Sequence, residues 1–168
     1  KVNGVTVGQG SSTAIRGTAL GAGALKVSTG ADNVAVGYDA GSKQVTGGYN
    51  IGIGKDSLGT GGSGNVAVGV QSLENNNGLY NTAIGYLAGN TLTSGDNITL
   101  LGYDAQPSSA TVSNEVTIGN ANVTTVRMGN GDVIYSTEGG NPVNVRDFGA
   151  KGDGTTDDYA AIQNAINS

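Results

Sequence analysis

Five residues, Asn33-Val34-Ala35-Val36-Gly37, return along this chain at a nearly fixed step. Copies stand at Asn50-Ile51-Gly52-Ile53-Gly54, Asn65-Val66-Ala67-Val68-Gly69 and Asn81-Thr82-Ala83-Ile84-Gly85. A looser copy, Asn97-Ile98-Thr99-Leu100-Leu101-Gly102, carries one inserted residue, and Asn114-Glu115-Val116-Thr117-Ile118-Gly119 is looser again. The Asn-to-Asn steps are 17, 15, 16, 16 and 17 residues. A unit repeated at so short a period is one coil of a solenoid, stable only against its neighbours. The step is too short for a parallel crossover through a helix, which needs roughly a dozen residues in the connection alone. It is also shorter than the roughly 20–29 residues of a leucine-rich repeat.

Within each unit, β-branched residues two apart (Val34 and Val36, Ile51 and Ile53, Val66 and Val68) carry the period of a strand and share one face. The residue between them is Ala35, Gly52, Ala67 or Ala83, small enough for close packing on the opposite face. Asn before the strand suits a turn, and the closing Gly permits positive φ. A second apolar position follows at Leu58, Leu73 or Ala88, which predicts a poorer second strand. The expectation is a thin two-strand roll with coils stacked about 4.8 Å apart. The Val/Ile strip is expected to form its meagre core, so that Val36→Asp would bury a charge. The small-residue face is then left free to pack against copies of the chain in a cyclic homo-oligomer.

Units such as Asn65-Val66-Ala67-Val68-Gly69-Val70-Gln71-Ser72-Leu73 resemble the head repeats of trimeric autotransporter adhesins, and similar repeats occur in bacteriophage tail fibres. The resemblance covers roughly residues 12–120. It implies an all-β, left-handed parallel β-roll that is an obligate homotrimer. The structural repeat residues it marks are Asn33, Val34, Val36, Gly37, Asn50, Ile51, Ile53, Gly54, Asn65, Val66, Val68, Gly69, Asn81, Ile84 and Gly85.

Four stretches follow from this reading: atypical N-terminal coils at 1–30, repeats at 31–129, a linker or turn at 130–141, and a distinct module at 142–168. In the first, Asn3-Gly4-Val5-Thr6-Val7-Gly8 matches the late unit at Asn114. Ser12 to Leu20 aligns without gaps on Asn50 to Leu58, which places Thr13-Ala14-Ile15 as the strand and Arg16 at the closing Gly position. Residues 21–30 then read as a larger turn. Connections at 42–49, 60–64, 74–80 and 90–96 are rich in Gly, Asn and Ser and are expected to be solvent-facing loops. Residues 110–129 resemble a segment found in phage tail-fibre proteins downstream of such repeats.

The last stretch opens extended at Pro142–Ala150 and turns at Lys151-Gly152-Asp153-Gly154. A helix follows, capped by Thr156 or Asp157, with Asp157 and Asp158 at its positive end and an apolar stripe at Tyr159, Ile162, Ala165 and Ile166. The run Asp147-Phe148-Gly149-Ala150-Lys151-Gly152-Asp153-Gly154 resembles the opening of pectate-lyase-like β-helix proteins, phage tailspikes included. There a strand, a turn and a helix cap the N-terminal end of a right-handed β-helix.

The chemistry-bearing residue types are sparse. Neither His nor Cys occurs among the 168 residues, which removes the usual general base, the thiol nucleophile and most zinc sites. Asp153, Asp157 and Asp158 fall short of an EF-hand set and read as a turn and a helix start. Gly21-Ala22-Gly23 and Gly61-Gly62-Ser63-Gly64 lack the Gly-Lys-Ser/Thr of a phosphate loop. No catalytic, cofactor-binding or metal-ligating residue is therefore assigned, and no cofactor is expected. The eight Lys and Arg are scattered singly in a chain of net charge −5, which argues against nucleic-acid and anionic-membrane partners. No run of about 18 apolar residues is present, so no membrane insertion is expected. The chain opens on Lys and is expected to be a piece of a longer protein.

Tyr38, Tyr86 and Tyr103 each follow a closing Gly. They are candidates for a surface strip facing a sugar or host protein, weighed against ordinary cross-coil packing. The function expected is structural: a trimeric rod in a phage tail fibre or tailspike, extracellular in the virion. Such a rod joins other tail proteins, projects a receptor-binding part and contacts a host surface glycan or protein. The alternatives are the N-terminal part of a capsular polysaccharide depolymerase and a bacterial trimeric adhesin head.

Overall fold

The computed structural model describes Val7–Gly8 and residues 16–43, 46–59, 61–128, 132–136, 149–151, 153 and 157–166. The start of the repeat at Asn3, the Ser12–Ile15 part of the early unit, the extended stretch from Pro142 to Phe148 and the capping candidate Thr156 lie outside them. The chain divides into two units, Lys1–Asn122 and Val123–Ser168.

The first unit is a parallel β-solenoid of six turns. Its strands are β1 (Val7–Gly8), β2 (Thr18–Leu20), β3 (Val34–Val36), β4 (Ile51–Ile53), β5 (Val66–Val68), β6 (Thr82–Ile84), β7 (Thr99–Leu101) and β8 (Val116–Ile118). They lie in one sheet in chain order, and every step from β2 to β8 is parallel. β1 pairs antiparallel with β2 and occupies the edge that would otherwise lie open.

Register corrects the early unit. Thr18 pairs with Val34 and Leu20 with Val36, so Thr18-Ala19-Leu20 is the strand and Arg16 sits at the turn before it. Gly21, at φ +135, is the closing Gly. Residues 21–30 complete this coil, with Leu25 and Ser28 fully buried, and are more than a turn. At the other end Thr82 pairs with Thr99, which seats Ile98 where the four regular coils carry Asn and leaves Asn97 as the inserted residue.

The two faces of the strand are reversed from expectation. Ala35, Ala67, Ala83 and Leu100 are fully buried inside the coil, while Ile51, Ile53, Ile84, Leu101 and Ile118 are exposed. The small-residue face therefore packs within the chain and is not free for a copy. The reason is width: a Cβ on Gly52 would stand 2.9 Å from the Leu58 Cβ. An interior so thin takes no Cβ at Gly52 beside Leu58, a methyl group at Ala67 in the Leu73 coil, and no β-branched side chain at either. A one-residue slip would exchange the two faces, and the Leu column holds the register against it. Burying one such Leu contributes roughly 1.5–3 kcal/mol.

The expected second strand is absent among the described residues. The far side of each coil turns through left-handed residues, such as Gln71 (φ 58) and Leu73 (φ 48). That conformation costs an L-residue roughly 1–2 kcal/mol. It is offset by bonds to the neighbouring coils: Gln71 N donates to Lys55 O (2.9 Å) and Leu73 N to Ala88 O (3.0 Å). The Leu positions are buried as anticipated.

In the second unit, β9 (Thr125–Met128) and β10 (Asp132–Ser136) form an antiparallel pair with an irregularity between Val133 and Tyr135. The helix α1 spans Tyr159–Ile166. Asp157 Oδ1 accepts from Tyr159 N (3.0 Å), the capping bond expected of it, and Asp158 Oδ1 accepts from Lys151 N (2.9 Å), tying the turn to the helix start. Of the anticipated apolar stripe, Tyr159 and Ile162 are exposed and the side chains of Ala165 and Ile166 lie outside the described ones; Ala161, off the stripe, is buried.

Candidate functional site

Asn33, Asn50, Asn65 and Asn81, which their position before the strand marks as turn residues, form a ladder inside the coils. All four are at most 2% exposed. Each Oδ1 accepts from a backbone N–H of the next coil: Asn33 from Asn50, Asn50 from Asn65, Asn65 from Asn81, and Asn81 from Ile98, at 2.8–2.9 Å. Each Nδ2 donates to a carbonyl of the next coil: Asn33 to Gly47, Asn50 to Gly62, Asn65 to Gly78 and Asn81 to Gly95, at 2.6–2.9 Å. Among the described residues no buried side-chain polar atom lacks a partner. The signal that reveals the ladder is recurrence: a turn tolerates Gly, Asp or Ser as well, and only a two-way hydrogen bond needs Asn in all four regular copies.

With the polar groups committed inside, the surface of interest is the outer side of the sheet. The register stacks two columns there. One is Thr18, Val34, Ile51, Val66, Thr82, Thr99 and Val116; the other is Leu20, Val36, Ile53, Val68, Ile84, Leu101 and Ile118. The second column is apolar at every rung. Val116 is 68% exposed, and the Ile residues of both columns are about two-fifths exposed. A continuous apolar patch of this kind marks an interaction surface in a soluble chain.

Two further columns flank it. Two residues before the strand stand Arg16, Asp32, Tyr49, Gly64, Tyr80, Asn97 and Asn114, all at positive φ. Backbone bonds such as Tyr80 N to Ser63 O and Asn97 N to Leu79 O hold this column. Arg16 and Asp32 pair at 2.6 Å, which raises the guanidinium pKa and lowers that of the carboxyl, mainly through their hydrogen bond. Two residues after the strand stand Ala22, Tyr38, Lys55, Val70, Tyr86 and Tyr103, with Asp56 N donating to Tyr38 O and Asp104 N to Tyr86 O. Lys55 bonds Asp56 at 2.6 Å.

The three tyrosines singled out in the sequence all lie in this second flank. Tyr86 and Tyr103 stack with ring centroids 5.8 Å apart and planes 16° apart. Tyr38 is separated from them by Lys55 and Val70, so they do not form one strip. The Tyr86–Tyr103 stack turns ring faces toward each other, the arrangement of cross-coil packing. Tyr49 and Tyr80, which no motif in the sequence marks, are more exposed, at 72% and 67%.

Nothing among the described residues assembles a catalytic or metal centre. No group of three acidic, His or Cys side chains is placed to hold a metal ion. Asp157 and Asp158 are engaged by backbone N–H groups, as above. Glu115 accepts from Ser108 N (2.8 Å), from Ser108 Oγ and from Thr117 Oγ1 (3.1 Å), and its pKa is lowered chiefly by the Ser108 hydroxyl. It fastens the loop after Pro107. No described helix is long and apolar enough to cross a membrane.

Comparison with known proteins adds one match. Residues 142–168 fit the family model of rhamnogalacturonase A/epimerase, pectate lyase-like. No curated protein and no solved structure matches the chain. The match, joined to a parallel β-solenoid upstream, supports the start of a pectate-lyase-like β-helix in the C-terminal segment.

Proposed function

We propose that this chain is a structural segment of a homotrimeric phage tail fibre or tailspike, a rod that connects or projects the host-binding part of the virion. The observation that carries the reading is the uninterrupted apolar column Leu20, Val36, Ile53, Val68, Ile84, Leu101 and Ile118 on the outer side of the sheet. A face of seven rungs at one pitch, about 4.8 Å, is matched along its length by a second solenoid of the same pitch. Three copies about one axis would cover it in a closed ring. The interlocked Asn ladder suits a load-carrying part. The small residues expected at the interface lie inside the coil, so the trimer reading rests on the Val/Ile side instead.

The match at 142–168 favours a second reading, in which the parent protein is a polysaccharide depolymerase and this chain is its stem. Paired carboxylates on subsequent β-helix coils would distinguish it. The test of the main reading is native mass by light scattering: three times the 16.5 kDa chain mass is expected, and a monomer would overturn it. Release of reducing sugar from capsular polysaccharide by the parent protein would establish the second.

A further inference from the structure

The two flanking columns carry different residues at most levels, and their differences match. Within one coil, Asp32 lies opposite Tyr38 across the strip, Tyr49 opposite Lys55, Gly64 opposite Val70, Tyr80 opposite Tyr86, and Asn97 opposite Tyr103. The three-residue strand between the members of each pair alone spans roughly 10 Å at about 3.3 Å per residue, so they do not meet within one protomer. Both are exposed or half-buried.

We infer that the protomers of the trimer join along a seam in which the Asp32–Tyr49–Gly64–Tyr80–Asn97 column of one copy docks, level with level, on the Tyr38–Lys55–Val70–Tyr86–Tyr103 column of the next. The inference rests on the trimer proposed above. Cyclic symmetry dictates that unlike edges meet, because each copy turns its leading flank to the trailing flank of its neighbour. With the solenoid axes parallel to the three-fold axis, equal levels face each other. The chemistry at those levels agrees. Tyr49 offers a ring to the Lys55 ammonium. Gly64 carries no side chain, and the Tyr80 ring lies over it, 2.8 Å from where a Cβ would stand, so that ring offers an apolar contact at the height of Val70. Tyr80 meets Tyr86 as an aromatic pair, and the Asp32 carboxylate can accept from the Tyr38 hydroxyl. An apolar centre rimmed by tyrosines is also the usual anatomy of a protein interface.

The chain has no cysteine, so introduced thiols report without background. The full chain carrying Tyr49→Cys with Lys55→Cys, and separately Tyr80→Cys with Tyr86→Cys, is oxidised and run on a denaturing gel without reductant. An intrachain bond is excluded because disulfide partners need Cα atoms within about 7 Å. The expected result is a covalent trimer as the main species for both double variants and no cross-link for any single variant. Dimers from the single variants would mean that like columns meet and would overturn the seam. A trimeric native mass with no cross-link in either pair would overturn the seam and leave the trimer standing. A monomeric mass for the unmodified chain would overturn the trimer itself.

Discussion

Asn65→Ala tests the interior ladder most directly. Asn65 Nδ2 donates to Gly78 O at 2.9 Å, and its Oδ1 accepts from Asn81 N at 2.9 Å. Both partner residues are buried, Asn81 completely, so water does not replace the lost atoms. A buried group left without its partner costs about 1–3 kcal/mol, and this applies to Asn81 N, whereas Gly78 O keeps a longer bond from Asn76 Nδ2 at 3.4 Å. For a chain of this size 1 kcal/mol corresponds to about 2–4 °C, so Tm should fall by about 2–12 °C. Asn75→Ala is the control. Asn75 is exposed and donates to Asn90 O at 2.7 Å, a bond water can replace, and its loss should cost about 0.5 kcal/mol. Asn65→Asp keeps one acceptor but turns a carboxylate oxygen toward Gly78 O, and should be at least as damaging as Ala. Thermal unfolding followed by circular dichroism measures all three. Equal Tm for Asn65→Ala and Asn75→Ala would refute the claim that the ladder holds the coils together.

The reversed faces predict opposite outcomes at neighbouring positions: Ala35→Asp places a charge in a fully closed interior and should abolish the fold by circular dichroism, whereas Val36→Asp should leave the coils intact and lower the native mass. Gly69 stands at φ +139, and a Cβ added to it would lie 2.1 Å from Gly85 O, so Gly69→Ala should cost about 1–3 kcal/mol or more in denaturant unfolding. The Glu115 carboxyl titrates below its ordinary value of 4.5 because Ser108 donates to the ionised form. Its contribution is therefore complete above that value and is lost as pH falls through the lower folded value. Tm measured from about pH 6 to about pH 3 should decline more steeply in the parent than in Glu115→Gln.

What could be read from the residues was the period, the strand of each regular coil and the buried Leu58 and Leu73. Alternation in Val34-Ala35-Val36 announces two faces but does not say which is inside. Hydrophobicity points to Val; volume decides for Ala, because Leu58 and Leu73 already fill the coil from the far side. The early register is ambiguous for a similar reason. Thr13-Ala14-Ile15 and Thr18-Ala19-Leu20 carry one pattern, and the contribution of Leu25 lies beyond the window that defines it. Left-handed Leu73 and Gln71 are not legible at all, since neither residue type favours that conformation and only the bonds between coils impose it. The candidate surface follows the same course: Tyr38, Tyr86 and Tyr103 stand out by position after Gly, whereas Tyr49 and Tyr80 precede the Asn and become visible only in the flank they occupy.

The ladder has a direction. Every Asn Oδ1 accepts from the coil that follows it, while Asn33, Asn50 and Asn81 also donate to earlier residues of their own coil. On the C-terminal face of a growing stack the last such oxygen therefore faces water, and the next coil exchanges that water for a buried backbone N–H. Each coil thus prepares the acceptor that its successor uses. At Ile98 the position is apolar, and that coil offers no such acceptor to the one that follows.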